Sequence, residues 1–151
     1  MRALIQRVSR ASVRFPDIPG TAERGIGRGM VVFLGCGAGD DGGTAERLAA
    51  KCAGLRIFAD EQGRFSKALA EAGGSALVVS QFTLYADCRK GRRPDFLGAL
   101  PGEQAESLCR RFAEAFAAQG VPVVSGEFGA RMEVELVNDG PVTIWLDSAQ
   151  L

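Results

Sequence analysis

Two runs of alternating apolar and polar residues lie close together near the end of the chain. The first reads MEVELV (132–137) and the second reads VTIWL (142–146), and the segment between them contains an Asp-Gly pair. Alternation of this kind is typical of half-buried strands, and Asp-Gly commonly joins paired strands. The pattern therefore predicts a closing β-hairpin. Pro141, which has no N–H to donate, follows the glycine directly and would disturb the tightest part of that turn.

The remaining patterns predict two helices among further strands. Apolar or alternating runs predict strands at 2–15, 21–24, 30–36 and 75–82. Apolar residues recurring at spacings of three and four predict helices at 44–55 and 102–119. Strands that cluster toward both ends of a chain, around two helices, favour an α+β fold with a largely antiparallel, barrel-like sheet. The 151 residues, of which 46% are apolar, suit a single domain spanning 1–151.

Composition excludes several classes of site. The chain contains no histidine, which excludes catalytic Ser-His or Cys-His pairs and His-ligated zinc. Its four cysteines show neither C-x-x-C nor metal-ligand spacing, and reduced thiols are expected rather than disulfides. Cys52 and Cys109 fall at helical core positions, whereas the sequence leaves the roles of Cys36 and Cys88 open. No metal or cofactor is expected, and a general base would have to be a carboxylate, a lysine or part of the substrate.

Charge and hydropathy indicate a soluble, cytoplasmic protein. The 18 Lys and Arg residues balance 18 Asp and Glu residues, so no global field points to nucleic acid or to a membrane surface. The longest uncharged apolar stretch, GMVVFLGCGAG, is shorter than the roughly 20 residues that a membrane span requires. Any contact with nucleic acid must therefore depend on local clusters of positively charged residues.

Two motifs favour a structural reading. VVFLGCGAGD runs from an apolar strand into glycines, but a dinucleotide-binding motif would need glycine where Asp40 stands. The acidic residues there are typical of a turn and a helix start. Glu133 and Glu135 share one face of a strand and could act as acid and base, but the opposite face is apolar. This alternation favours a solvent-facing strand surface.

Two polar segments are candidates for a functional site. The apolar strand ALVV runs directly into Ser80, Gln81 and Thr83, so this strand end either lines a site or faces solvent. Backbone N–H groups at such a strand end could hold an oxyanion. The following loop carries four cations in five residues, which could contact phosphates or simply be solvated. They are Arg89, Lys90, Arg92 and Arg93.

Three segments together, SQFTLYAD, KGRRPDF and NDGPVTIWL, resemble the signature stretches of the D-aminoacyl-tRNA deacylases, the bacterial D-tyrosyl-tRNA deacylase family. RALIQRVSRASV and GGSALVVSQF also match, so the resemblance covers nearly the whole chain. It implies a homodimer, with the active site at the interface, that hydrolyses the ester bond of D-aminoacyl-tRNA. It also implies activity on glycine mischarged on alanine tRNA. Neither a cofactor, nor a membrane, nor DNA is implied as a partner.

The resemblance further implies a means of chiral selection. The Gly140–Pro141 bond would be cis, and the turn would reach into the active site of the partner subunit. Its two backbone carbonyls would there clash with an L-aminoacyl group but not with a D-aminoacyl group or glycine. Arg7 would brace this turn.

The other implied roles concern catalysis and tRNA binding. Ser80, Gln81, Phe82 and Thr83 would line the pocket, and the terminal ribose hydroxyl of the tRNA would help to activate water. Lys90, Arg92 and Arg93 would lie near the phosphates of the acceptor stem. The alternative is a non-catalytic dimeric module that binds RNA or small ligands through the basic loop.

Overall fold

The computed structural model describes residues 1–89 and 91–151; Lys90 lies outside the described residues. The strands are β1 (Arg2–Arg14), β2 (Arg24–Ile26), β3 (Gly29–Gly35), β4 (Phe58–Ala59), β5 (Phe65–Lys67), β6 (Ser75–Ser80), β7 (Val123–Ser125) and β8 (Glu133–Asp147). The helices are α1 (Gly42–Ala53) and α2 (Gly102–Ala117), with 3-10 turns at Phe82–Tyr85 and Ser148–Gln150. The two predicted helices are confirmed.

A six-stranded sheet forms the body of the protein, and β1 pairs with three of its other strands. Strand β8 runs antiparallel along one edge of β1, while β3 and β2 pair antiparallel with successive parts of the other edge. Strands β6 and β7 extend the sheet beyond β3 in parallel orientation. The α+β class with a largely antiparallel, barrel-like core is confirmed. The parallel pairs were not predicted; they arise because each helix lies in a crossover between neighbouring strands.

The predicted closing hairpin is wrong. Both halves of β8 pair with the same strand, β1, so residues 133–147 form one continuous strand instead of two paired ones. The ladder is interrupted where Arg7 of β1 faces residues 139–142 of β8, which form a wide bulge. Two alternating runs look the same in either arrangement, and the choice depends on the 13-residue β1 strand being long enough to pair with both.

Each face of the sheet carries a buried apolar cluster. On one face, α1 and α2 pack together, and Leu48, Phe112 and Phe116 are among the fully buried side chains. On the other face, the sheet curls on itself around a second cluster that includes Val13 and Leu77. No helix in the described parts of the chain is both long and apolar enough to cross a membrane.

Candidate active site

The segment Ser80 to Thr83 forms the end of β6 and the turn that follows it. Strand β6 ends at Ser80, earlier than the predicted end at residue 82, and the chain enters the 3-10 turn Phe82–Tyr85. The N–H of Gln81 donates to the carbonyl of Leu34 at 2.7 Å, which holds the turn against β3. The first N–H groups of a helical turn have no carbonyl from a preceding turn to bond. The backbone of Phe82 and Thr83 is therefore suited to donate to a ligand.

The polar side chains at this strand end support one another. The side-chain amide of Gln81 donates to the hydroxyl of Thr83, which is exposed. A hydroxyl that accepts one hydrogen bond still has its own proton to donate. The Gln81 contact thus leaves the Thr83 proton free to point toward a bound molecule. Ser80 is half-buried beside them.

A cavity of about 540 Å³ opens beside the strand end. Ser80, Gln81 and Phe82 line one side of it, and its other walls come from the end of β3, the start of α2 and the segment leading into β8. Phe82 is 57% exposed, and its ring meets Phe96 edge to face with centroids 5.0 Å apart. The site therefore combines hydrogen-bonding groups, an apolar interior and an exposed aromatic ring.

The bulge in β8 is the second candidate element. Gly140 and Pro141 are both exposed, and the peptide bond between them is cis, as the resemblance implies. Asn138 closes the base of the bulge: its side-chain oxygen accepts from the N–H of Val142 at 3.0 Å. Its amide donates to the hydroxyl of Thr143, also at 3.0 Å. These side-chain bonds replace the ladder bonds that the bulge interrupts.

Arg7 lies behind the bulge, and it is the one charged residue classed as buried in the described part of the chain, with 9% of its surface exposed. Its Nε donates to the carbonyl of Asp139 at 2.9 Å, and its Nη1 donates to the carbonyl of Ile57 at 2.6 Å. The Asp139 carboxylate lies 3.4 Å from the same Nε, and the Phe65 ring covers the guanidinium with its centroid 5.1 Å away. A planar guanidinium with several donors can hold two backbone segments at once. Arg7 therefore ties the bulge to the segment before β4.

A single chain does not bring the two elements together. Ser80 is in register with Leu34, and Leu34 with Ala3 of β1, whereas Arg7 and the bulge lie four residues further along that strand. At the usual strand rise and spacing, this is about 13 Å along the sheet, and the bulge on β8 lies three strands, roughly 14 Å, across it. A site that uses both the strand end and Gly140 would have to combine two chains.

The basic loop begins close to the cavity. Backbone bonds between Asp87 and Asp95 close its base, at 2.8 and 3.1 Å, just before Phe96 of the cavity wall. Hydrogen bonds from Arg89 lower the pKa of Asp87 to about 2, so these two charges largely neutralise each other. The side chains of Arg92 and Arg93 are exposed, whereas the predicted contact of Lys90 lies outside the described residues.

The glycine-rich segment before α1 and the glutamate pair of β8 have the structural roles that the sequence predicts. Asp40 accepts from the N–H of Gly37 at 2.6 Å, and Asp41 caps α1 by accepting from the N–H of Thr44 at 2.7 Å. Glu133 and Glu135 are exposed on β8 and pair with arginines of β1. No group of three or more His, Cys, Asp or Glu side chains suited to a metal ion occurs within residues 1–89 and 91–151.

Sequence reasoning missed three parts of these sites. The aromatic partner Phe96 and the carbonyl of Ile57 are distant in sequence from the residues that they contact, and no local pattern marks them. Asn138 did carry a signal, because Asn before a Gly-Pro pair often bonds the backbone a few residues away.

Comparison with known proteins matches the chain along nearly its whole length. The sequence profile of the D-Tyr-tRNA(Tyr) deacylase family matches residues 4–147. A D-aminoacyl-tRNA deacylase of Thermomicrobium roseum is 59% identical over 151 residues, which cover 100% of this chain and 96% of that protein. A D-aminoacyl-tRNA deacylase of Roseiflexus castenholzii is 56% identical over 149 residues, 99% of this chain and 93% of its own length.

Solved structures show the same fold. A chain described as c-Myc DNA Unwinding Element Binding Protein superposes with a TM-score of 0.88 and 42% identity, covering 97% of this chain and 98% of its own. A probable eukaryotic D-amino acid tRNA deacylase superposes with a TM-score of 0.81, covering 96% and 97%. Its identity is 18%, so this second likeness concerns the fold alone.

Proposed function

Because the chain belongs to the D-Tyr-tRNA(Tyr) deacylase family, we propose that it hydrolyses the ester bond of D-aminoacyl-tRNA and releases the free D-amino acid and the tRNA. The observation that carries this proposal is the polar end of β6, where Ser80, Gln81 and Phe82 border a cavity, next to Thr83 and beside the exposed basic loop. Relatives that share more than half of their residues with this chain are D-aminoacyl-tRNA deacylases.

The strand end is suited to stabilise the transition state. When water attacks the ester carbonyl, negative charge develops on the carbonyl oxygen, and fixed N–H donors lower the barrier by holding that charge. In our proposal, the backbone N–H groups of Phe82 and Thr83 supply these donors. The Thr83 hydroxyl, oriented by Gln81, holds the carbonyl or the amino group of the substrate. Removing one such donor typically costs about 10²–10³-fold in rate.

The water-activating group is proposed to come from the substrate. The chain has no histidine, so it lacks the side chain that most often serves as a general base. The hydroxyl of the terminal ribose lies next to the ester in any aminoacyl-tRNA, and it can help to orient and deprotonate the water. The protein then contributes mainly positioning and the oxyanion site.

Chiral selection is assigned to the β8 bulge of a partner subunit. The separation of the bulge from the strand end within one chain supports a homodimer whose bulge reaches the other subunit's cavity. Arg7 and Asn138 hold the bulge by side-chain hydrogen bonds, which gives it the rigidity that steric rejection needs. The carbonyls of Gly140 and Pro141 would meet the side chain of an L-amino acid but only hydrogen in a D-amino acid. Glycine on alanine tRNA would be accepted for the same reason.

In this proposal, the cavity and the basic loop bind the aminoacylated end of the tRNA. The exposed face of Phe82 can stack on a base, a contact that proteins use widely for single-stranded RNA. The charges of Arg92 and Arg93, with that of Lys90, can contact phosphates of the acceptor stem.

Replacing both Arg92 and Arg93 with alanine should weaken tRNA binding while leaving the chemical step intact. Each lost phosphate contact reduces the slope of log Kd against log salt concentration by about one. The slope for the double variant should therefore be smaller by about two. The measurement is KM and kcat for D-tyrosyl-tRNA at several salt concentrations. Arg10→Ala/Arg14→Ala is the matched control, because these exposed arginines pair with glutamates on β8. An unchanged salt slope in the loop variant would remove the loop from the tRNA interface.

The decisive experiment compares D-tyrosyl-tRNA with L-tyrosyl-tRNA, incubated with the purified protein in the presence of a chelator. We expect the D-ester to be cleaved and the L-ester to survive. Cleavage of both esters would keep the hydrolase but refute the assigned selection by the bulge. If both esters survive while tRNA still binds, the chain is a non-catalytic RNA-binding module, the alternative that the exposed arginines of the loop favour.

A further inference from the structure

Two cysteines meet in the wall of the cavity beside Ser80. The Sγ atoms of Cys36 and Cys109 lie 3.7 Å apart, although the residues are 73 positions apart in sequence. Cys36 directly follows β3 and is buried, whereas Cys109 belongs to α2 and is partly exposed. Both residues line the cavity.

The four thiols of the chain differ in burial and in hydrogen bonding. The hydrogen bond from Cys109 lowers the pKa of the Cys36 thiol, and the same contact together with burial raises the pKa of Cys109. Burial alone raises the pKa of Cys52 to about 12. Cys88 is exposed, in the basic loop. Because the thiolate is the nucleophile, the lowered pKa of Cys36 favours its reaction, and a second thiol lies 3.7 Å away.

We propose that Cys36 and Cys109 form a modification site that peroxides oxidise to a disulfide and that dithiols restore. The Cys36 thiolate attacks one oxygen of hydrogen peroxide, the O–O bond breaks, and a sulfenic acid forms while the second oxygen leaves as water after protonation. The sulfur of Cys109 then attacks the sulfenic sulfur, and the S–O bond breaks to release a second water. Two thiols are oxidised to one disulfide, and one peroxide is reduced to two waters.

The disulfide would act on the cavity through the elements that it joins. Its sulfurs lie about 2.05 Å apart, so the pair must close by roughly 1.7 Å from the present separation. This closure draws α2 toward the end of β3. The same stretch of β3 carries the Leu34 carbonyl that anchors Gln81, so the movement reaches the strand end. We therefore infer that the oxidised form hydrolyses its ester substrate more slowly, an effect that rests on the proposed function.

The chemical test uses the Cys88→Ser protein, which removes the exposed thiol that could link two chains. After treatment with hydrogen peroxide, peptide mass spectrometry without reduction should find Cys36 joined to Cys109 and the loss of two hydrogens. Alkylation in denaturant should count two fewer thiols, and dithiothreitol should restore them. The Cys88→Ser/Cys109→Ser protein should form no such link. The site is refuted if both thiols remain alkylatable after peroxide, or if Cys36 is found joined to Cys52.

The functional test uses the same two proteins, Cys88→Ser and Cys88→Ser/Cys109→Ser. It compares the rate of D-tyrosyl-tRNA hydrolysis by each protein before and after peroxide treatment. A shift of the reacting groups by a fraction of an ångström should slow Cys88→Ser roughly tenfold, and dithiothreitol should reverse the loss. A disulfide that forms without changing the rate would overturn the link to the active site. A protein inactive before oxidation would instead refute the proposed function, while mass spectrometry would still decide whether the disulfide forms.

Discussion

Replacing Gly140 with alanine is expected to abolish rejection of L-aminoacyl-tRNA and to destabilise the protein. A Cβ at this position would lie 2.7 Å from Cγ2 and 2.9 Å from the backbone nitrogen of Val142, and 3.1 Å from Nη2 of Arg7. Val142 is buried and cannot easily move away. The φ angle of +139° is also one that residues with a side chain rarely adopt. Strain of about 1–3 kcal/mol adds to overpacking of similar size, so the free energy of unfolding should fall by roughly 2–6 kcal/mol.

The measurements are urea unfolding and the hydrolysis rates of D- and L-tyrosyl-tRNA. A bulge that must shift to accept the methyl group no longer places its carbonyls where they exclude the L-side chain, so the L-ester should become a substrate. Gly20→Ala is the control, because Gly20 also has a positive φ, +81°, but no atom lies within 4 Å of its Cβ position. It should lose about 1–2 kcal/mol and keep its selectivity. If both variants behave alike, the packing around Gly140 has no part in selection.

Arg7→Met should have an effect of comparable size, by removing the brace instead of deforming the bulge. The carbonyl of Ile57 would be left without its donor in a buried setting, and the carbonyl of Asp139 would lose its own. An unsatisfied buried group costs about 1–3 kcal/mol, and hydrogen bonds to a charged group contribute about 1.5–3 kcal/mol each. We expect a loss of roughly 2–4 kcal/mol in the free energy of unfolding, together with measurable cleavage of the L-ester.

Arg7→Lys separates charge from geometry. Lysine keeps the positive charge near Asp139, but its compact ammonium lacks the forked donors that reach two carbonyls at once. It should therefore recover part of the stability and little of the selectivity. Arg14→Met is the control on the same strand: Arg14 is exposed and pairs with Glu133 at 3.2 Å, so its loss should change stability by about 0.5 kcal/mol or less. Full selectivity in Arg7→Met would rule out the bracing role.

Local patterns predicted most elements of the fold because each reports on its own neighbourhood. Spacing placed both helices, and Asp41 marked the start of α1 correctly. The hairpin prediction was wrong for a non-local reason: the alternating runs on either side of Asn138 to Pro141 indicate extended chain but not whether the two runs pair with each other or with a third strand. The parallel pairing of β3 with β6 escaped prediction for the same reason.

Some parts of the candidate site were also visible in the local sequence, and others were not. The polar end of β6 was visible in sequence, since Ser80, Gln81 and Thr83 interrupt an apolar run. The placement of Arg7 against the bulge came from family resemblance, and the structure gives its contacts in atoms. The contact between Cys36 and Cys109 had no sequence signal at all, because a helix and a strand end must first be packed before their thiols can meet.

The continuous pairing of β8 also limits which changes in chain length this protein can tolerate. The strand is held to β1 on both sides of the bulge, so the number of residues between Asn138 and Thr143 is fixed by two separate ladders. One inserted residue must either enlarge the bulge or slip one ladder, and a slip would exchange the buried Val142 and half-buried Ile144 with their exposed neighbours. The irregular connection at 16–23, by contrast, lies outside any strand and is largely exposed, so it can vary freely in length. Among descendants of this sequence, insertions should accumulate there and be absent from the six residues that shape the bulge.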